Sequence, residues 1–339
     1  MSEKPNSAEL VEISKPVPGA GEIGVKVVTA GLCGSDVHFL RGESPCPSQT
    51  PVTMGHEFSG IVDSIGEGVN DFKPGDRIVS ETAYGVCGTC EMCRRGFYHI
   101  CINKKTLGYW YDGVFAEYSV TPAVRAKKIP DGISFLTAAM LEPMACTVHA
   151  LYEQCTIKAG DIAVVNGPGA MGQIAAQIAK AQGAIVVITG TDADADRLKL
   201  ALELGADYAV NVQQTDLTGF VKELTGGVGA DVVIECSGNE RGIGSAVECI
   251  RKKGYYTQIG LPGRKISFDL DAVCSKELHF NGSMSSNDVS WRRAITLLEK
   301  GLVKLEPLGQ TMYGLSEWEE AFAAFDRKEG YKIMIDPAR

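Results

Sequence analysis

The sequence predicts an α/β chain in which a β-rich part is interrupted by a doubly wound parallel-sheet domain. Three observations carry this reading. From about residue 158 to 285, short buried-type strands alternate with helical stretches, the pattern of a parallel sheet covered on both faces. Before that stretch the chain consists of short strands broken by Gly, Pro and Asp, and after it a helical pattern ends in a strand-like run. A glycine-rich turn, Gly167-Pro168-Gly169-Ala170-Met171-Gly172, stands at the first strand-to-helix junction of the alternating part.

In the first part, residues 25–28, 60–66 and 77–79 are β-branched apolar runs bounded by glycine or by the Lys73-Pro74-Gly75-Asp76 turn. Residues 84–101 are dense in Cys and Gly, have no period, and are expected to be loop. In the alternating part, strands are expected at 163–166, 185–189, 208–211, 231–235, 255–259 and 278–281. Helices are expected between the first five of them, at 171–182, 195–204, 215–225 and 241–250. A helical pattern resumes at Ser290, and 332–335 reads as a closing strand that rejoins the first part. The domains are therefore placed at 1–144 together with 286–339, and at 145–285.

The composition suits a folded globular chain: 339 residues, 45% hydrophobic and 22% charged. No apolar run approaches the roughly 18 residues of a membrane helix. The start lacks a basic patch followed by an apolar stretch, so a cytoplasmic location with no membrane partner is expected. A net charge of −9 argues against a nucleic-acid partner. Eleven cysteines cannot all pair within one chain, and with no secretion signal reduced thiols or metal ligation are expected.

The glycine turn is a G-x-G-x-x-G run, weak by itself and strengthened by its place between a buried strand and a helix. Gly167 permits the tight turn, Gly169 lets backbone approach a pyrophosphate, and Gly172 lets helix pack on strand. The helix start, with Ala170 and Met171, offers amide hydrogens and a positive dipole end to phosphate. Asp192, 20 residues beyond Gly172, is the candidate acceptor for ribose hydroxyls. With Asp194 and Asp196 it would repel a 2′-phosphate, which favours NAD over NADP. Arg197 is the candidate to reach a phosphate, and NADP is the alternative cofactor. The alternative is a strand–turn–helix that binds nothing.

Cys87-x2-Cys90-x2-Cys93-x7-Cys101 places four thiols close enough to close a tetrahedral Zn²⁺ site with no open position, hence a structural one. Iron–sulfur ligation and a redox pair are the competing readings. Cys33, the Gly55-His56-Glu57 run and the Leu141-Glu142-Pro143 run add further donors. Singly, each is more often packed core than ligand. Together they offer an open zinc site, Cys33 and His56 giving sulfur and nitrogen while Glu57 and Glu142 compete for the rest.

These motifs, together with Gly31 to Asp36, Asp112-Gly113-Val114-Phe115-Ala116-Glu117-Tyr118 and Gly226-Gly227-Val228-Gly229-Ala230-Asp231, resemble zinc-dependent medium-chain dehydrogenases of the alcohol and polyol type, in that family's order over nearly the whole chain. The resemblance implies a GroES-like catalytic domain and a Rossmann cofactor domain. It implies two zinc ions per chain and hydride transfer between NAD(H) and a polyol or other secondary alcohol. The Gly-His-Glu and Glu-Pro pairs are similar to the sorbitol, threonine and sugar-alcohol branch, since the ethanol branch has Cys where Glu142 stands. It further implies that Cys33, His56 and either Glu57 or Glu142 bind the catalytic zinc, with the other carboxylate one exchange away. A thiolate and two carboxylates together would outweigh the metal's charge, so only one glutamate is expected to bind directly with substrate present.

By the same resemblance Ser35 relays the substrate proton, His38 carries it outward, and Asp36 accepts from the His56 ring. Thr147, Ser237, Gly260 and Ser283 are expected to line the cofactor, and Phe39, Phe58, Tyr109 and Trp110 the substrate. The Gly108–Asp112 turn, which holds no Arg or Lys, speaks mildly against a phosphorylated substrate. Leu278 and Phe280 are expected to extend the sheet into a homodimer or homotetramer. Two features depart from the family: the first four residues leave little room for an opening strand, and Val114 stands where Gly is usual. The alternatives are a threonine-type or polyol-phosphate dehydrogenase and, outside enzymes, a nucleotide sensor on the same fold.

Overall fold

A computed structural model of the chain describes residues 7–44 and 48–339. The shortened opening strand and Cys46 fall outside the described residues. In chain order the first elements are β1 (Glu22–Gly31), α1 (Gly34–Leu40), β2 (Glu57–Ile65), β3 (Arg77–Ser80), α2 (Glu91–Arg94), β4 (Tyr118–Pro122), β5 (Ala126–Lys128), α3 (Phe135–Ala139) and α4 (Leu141–Glu153). The alternating part follows: β6 (Ile162–Asn166), α5 (Ala170–Ala181), β7 (Ile185–Gly190), α6 (Ala195–Glu203), β8 (Tyr208–Asn211), α7 (Leu217–Leu224), β9 (Ala230–Glu235), α8 (Glu240–Cys249), β10 (Ile250–Gln258), α9 (Leu270–Ser275) and β11 (His279–Gly282). The chain closes with α10 (Asp288–Glu299), β12 (Thr311–Gly314), α11 (Trp318–Asp326) and β13 (Ile333–Asp336).

Two compact units result. One comprises Met1–Pro143, Ser285–Ile295 and Leu305–Arg339; the other Met144–Met284 and Thr296–Lys304. The first unit holds a seven-stranded sheet of order β12-β13-β1-β2-β3-β5, with β4 also paired to β1. Strand β1 is central: β2, β4 and β13 all run antiparallel to it. That explains why it spans ten residues and is buried nearly throughout, with Lys26 exposed. The closing strand joins β1 through Ala30↔Ile335 and Gly31↔Met334, so the C-terminal return completes this sheet. Its core includes Ile23, Val25, Leu32, Ile78, Leu107 and Ile335.

The second unit holds six parallel strands in the order β11-β10-β9-β6-β7-β8. β6 and β9 are buried almost end to end, as strands covered on both faces should be. Helix ends differ from the sequence expectation by one or two residues because side-chain caps set them. Asp216 accepts from Thr218 N and Gly219 N and starts α7 after Thr215; Asn239 accepts from Arg241 N and starts α8 at Glu240. β10 begins at Ile250 rather than at 255, because Ile250 pairs with Ala230 before an irregularity in register. The Lys276 ammonium covers the carbonyls of Val247, Glu248 and Ile250 at 2.6, 3.0 and 2.8 Å, satisfying the end of α8.

Two expectations need correction. Residues 84–101 are not wholly loop: α2 forms because Cys90 Sγ accepts from Cys93 N, and a tight turn follows at Tyr98–Ile100. Leu278 does not sit in the last strand; it is half-buried against the second unit's core, and β11 starts one residue later.

The cysteine-rich segment is tied to its own unit by a buried polar network. Tyr98 donates to Glu81 Oε2 at 2.6 Å and accepts from Asp288 N at 2.7 Å. Lys127 Nζ lies 2.8 Å from Glu81 Oε1 and 3.1 Å from Asp288 Oδ1, and Arg125 covers the Tyr98 ring. Because Glu81 is only 1% exposed, its counter-ion is not dispensable. Lys127→Met is expected to cost about 3–5 kcal/mol. Thermal melting should show that loss, and Glu81→Gln in the same chain should restore most of it. A double variant as unstable as the single one would refute the pairing argument.

Candidate metal and cofactor sites

The four sulfurs of Cys87, Cys90, Cys93 and Cys101 all lie within 4.8 Å of one another. The separations reach 3.5 Å for Cys87–Cys101, 3.9 Å for Cys90–Cys101 and 4.0 Å for Cys87–Cys93. A tetrahedron of sulfurs about 2.3 Å from a zinc has edges of roughly 3.8 Å. Backbone amides point at the sulfurs: Cys87 N to Cys101, Cys90 N to Cys87, Cys93 N to Cys90 and Asn103 N to Cys101. The amides of Thr89 and Cys90 draw the Cys87 thiol down to about 5, while burial and the neighbouring sulfurs push Cys93 up to about 12. A cage in which one thiol ionises readily and its neighbour resists is suited to a cation that offsets the repulsion. The ten described cysteines are all free of disulfides.

Cys33 caps the start of α1, and Asp36 Oδ2 accepts from its backbone N at 2.9 Å. The other Asp36 oxygen lies 3.1 Å from His56 Nδ1. Asp36 thus serves both as a turn cap and as the His56 partner, two roles the sequence leaves as alternatives. With Nδ1 engaged, Nε2 is the ring nitrogen left for a metal. Glu57 opens β2 opposite Gly31 and is 0% exposed. A Cβ on Gly31 would stand 2.4 Å from Glu57 Oε2, so a side chain there would displace that carboxylate. Donor atoms of Cys33, His56 and Glu57 lie within 4.8 Å of one another.

The sequence reading misses Lys332. It stands just before β13, is 7% exposed, and its Nζ lies 2.5 Å from Glu57 Oε2. Burial lowers the Lys332 pKa, but the charges of Glu57, Cys33 and Glu142 outweigh it and hold the ammonium above its usual range. His56 behaves alike: burial opposes its protonated form, yet Asp36 and Cys33 raise it well above the ordinary value. Glu57 Oε1, buried, has no hydrogen-bond partner among the described residues. Surplus negative charge and an orphaned carboxylate oxygen fit a divalent cation at this place. Glu142, 8% exposed near the start of α4, is close enough to act on Lys332 but falls outside the three-donor group.

Ser35 is half-buried in α1 beyond Cys33, and His38 lies nearer the surface with Nδ1 2.9 Å from Glu43 Oε2. Of the aromatic candidates, Phe39 and Phe58 belong to the apolar core, Tyr109 packs 5.6 Å from the His56 ring, and Trp110 lies under Lys105 Nζ at 4.2 Å. A lysine therefore does stand at the 108–112 turn, supplied from just before it.

In the second unit the glycine turn links β6 to α5. Gly167 adopts φ 92°, and a Cβ there would meet Ser237 at 2.8 Å. A Cβ on Gly172 would come 1.8 Å from Gly167 O, whereas above Gly169 there is open space. Gly169 is the cap residue of α5, and no side chain caps that helix, which leaves the first amides, including those of Ala170 and Met171, facing an open cradle. A dinucleotide pyrophosphate fits such a cradle. Asp192 follows β7; Arg197 Nη1 lies 3.6 Å from Asp194 Oδ1. Thr147 is fully buried with its hydroxyl 3.7 Å from Met171 Sδ, and Ser283 N donates to Gln258 O.

Glu235, at the end of β9, is a hub the sequence did not reveal. Its carboxylate accepts from Ser237 N and Oγ, Gly238 N and Gln258 Nε2, and its carbonyl accepts from Ile259 N and Gly260 N. Tyr256 and Gln258 continue the chain of bonds. Ser237 and Gly260 are thereby fixed at the C-terminal edge of the sheet, where open α/β sheets bind ligands. Burial raises the Glu235 pKa, and these donors temper the rise.

A dinucleotide-type parallel sheet joined in one chain to a closed four-cysteine cage and an open Cys–His–Glu group defines a metal-dependent oxidoreductase. Residues 19–131 match the family model of the alcohol dehydrogenase GroES-like domain and 170–300 that of the zinc-binding dehydrogenase domain. The chain is 42% identical to a sorbitol dehydrogenase of Halalkalibacterium halodurans, over 96% of this chain and 94% of that protein. It is 38% identical to a D-arabitol-phosphate dehydrogenase of Enterococcus avium, over 96% and 93%. A zinc-binding dehydrogenase from Sinorhizobium meliloti, solved with NADP, superposes with a TM-score of 0.88 at 32% identity, covering 96% of this chain and 94% of that one. The chain belongs to the zinc-type medium-chain alcohol and polyol dehydrogenase family. It is an oxidoreductase that uses zinc and a nicotinamide cofactor to move hydride to or from an alcohol carbon.

Glu235→Ala would take the acceptor from several half-buried or exposed donors, at about 0.5–1.5 kcal/mol for each lost bond. The expected result is a Tm lowered by roughly 4–10 °C. An unchanged melting curve would show that the hub is not needed to hold the two loops.

Proposed function

We propose that this chain oxidises a polyol or related secondary alcohol to the ketone with NAD, holding one zinc at Cys33, His56 and Glu57 and a second at Cys87, Cys90, Cys93 and Cys101. The observation that carries this is the convergence of a thiol, an imidazole and a buried carboxylate with one unpartnered oxygen, beside the buried Lys332 ammonium. When bound, the zinc would supply Lewis-acid activation of the substrate hydroxyl and the nicotinamide a hydride acceptor.

The chain's own residues do the rest. Asp36 keeps the His56 ring in the tautomer that frees Nε2. Lys332 neutralises Glu57, so that Glu142 can approach as an exchangeable neighbour without excess negative charge. Ser35 passes the substrate proton, and His38, aimed by Glu43, carries it toward solvent. Gly167, Gly169, Ala170, Met171 and Gly172 cradle the pyrophosphate, Asp192 takes the ribose, and Thr147, Ser237, Gly260 and Ser283 border the cofactor. Among the described residues no helix is long and apolar enough to cross a membrane. Ten free cysteines suit a reducing cytoplasm. A homodimer or homotetramer is the proposed assembly, because β11 is the edge strand of its sheet and presents Phe280, 43% exposed.

A second reading, a polyol phosphate as substrate, is favoured by Lys105 over Trp110, next to the Tyr109 that flanks His56. The D-arabitol-phosphate dehydrogenase relative supports it too.

The test combines metal analysis with a substrate panel. Two zincs per chain are expected, falling to one in His56→Ala and in Cys87→Ser. Polyols, their phosphates, simple secondary alcohols and L-threonine, followed by NADH absorbance, should single out a polyol. Preference for the phosphate, abolished by Lys105→Ala, selects the second reading. Protein holding two zincs that oxidises none of them would refute both.

A further inference from the structure

We infer that Asn211 and Gln214 are specificity-determining positioning residues: they hold the Asp192 carboxylate so that it accepts a free ribose diol and repels a 2′-phosphate. The inference rests on the NAD reading above and deepens it.

Asp192 lies on the exposed turn after β7. An exposed aspartate ordinarily samples several rotamers. Here Oδ1 accepts from Asn211 Nδ2 at 2.6 Å and from Gln214 Nε2 at 2.7 Å. The Asp192 backbone N donates to Gln213 Oε1 at 2.7 Å. All three amides come from the end of β8 and the turn behind it. That turn is itself organised, with Gln213 N bonded to Asn211 Oδ1 and Gln214 N to Asn211 O. Parallel pairing of β7 with β8 sets Gly190 opposite Asn211, and Val212 N donates to Gly190 O, so the amides are delivered beside Asp192 by register.

The clamp occupies one carboxylate oxygen. Oδ2 accepts no hydrogen bond among the described residues and remains available to a hydroxyl. The nearest candidate to welcome a phosphate, Arg197, is met by Asp194, whose other oxygen is held by Thr191 N and Oγ1. A fixed anion with a neutralised neighbouring cation is a site that pays for no reorientation when a diol arrives and offers nothing to a dianion. Releasing the clamp restores rotamer freedom to Asp192 and weakens only the cofactor that uses it.

The test is fluorescence titration of the zinc-loaded protein with NADH and with NADPH, together with kcat and KM for NAD and NADP. Wild type, Asn211→Ala, Gln214→Ala, the double variant and Asp192→Asn are compared. The three substitutions are at partly or fully exposed polar positions, and Tm should stay within a degree or two of wild type in all four variants. The double variant should raise the NADH dissociation constant and the KM for NAD by about tenfold, what the loss of a good hydrogen-bond arrangement amounts to, with kcat within about twofold. NADPH binding should be unchanged or tighter, and Asp192→Asn should narrow the preference further. Two results would overturn the inference alone: an NAD-preferring wild type whose preference survives the double variant, or a double variant that weakens NADH and NADPH equally. A wild type that prefers NADP would overturn the NAD reading, and the inference with it.

Discussion

Negative charge confined to a buried floor is the constraint around which the first unit is arranged. Asp36, Glu57 and Glu142 are each less than a tenth exposed, and Cys33 stands among the same groups. Carboxylates do not stay ionised in such a place without compensation. Lys332 meets part of the need, and it arrives only because β13 pairs with β1 next to Gly31. The remainder is what a divalent cation answers. The same charges of Asp36 and Cys33 act on His56, raising its pKa against the opposing effect of burial.

The second unit answers a different problem, an anionic ligand at the end of a parallel sheet. Its devices are backbone amides, one uncapped helix start and side chains that stiffen the loops around it. Glu235 sits beneath these loops as an acceptor only, tying together the turns that follow β9 and β10. Asp192 stands at the rim with its own amide supports. Rigidity on both counts comes from residues that need touch no substrate.

Much of this was legible in the sequence where the chemistry is local. The cysteine spacing, the glycine turn and the strand–helix alternation each lie within a short window, so residue type and spacing suffice. Helix ends shifted because Asp216, Asn239 and Cys90 act as caps, a matter of single side-chain bonds. Lys332 was not legible, because nothing near it in the chain announces a buried partner; only the return of the last strand to β1 does. The choice between Glu57 and Glu142 stayed open for the same reason, since the reach of a carboxylate depends on tertiary packing. Phe39, Phe58 and Tyr109, which the sequence leaves between ligand wall and core, all lie in the apolar core, because an aromatic near a motif is equally needed for packing. Asn211 and Gln214 lie in a turn whose polarity is unremarkable until the register of β8 against β7 is known.

X-ray absorption at the zinc edge tests the central claim most directly, because it counts the atoms around the metal. One site with four sulfurs and another with a single sulfur beside nitrogen and oxygen average about 2.5 sulfurs per zinc near 2.3 Å. Cys33→Ser should bring that average to about 2 with two zincs retained, or raise it to about 4 with the zinc content halved, the four-cysteine site keeping its four sulfurs in either case. A spectrum showing four sulfurs per zinc in the wild type, unmoved by Cys33→Ser, would contradict the account of the Cys33–His56–Glu57 group as a metal site.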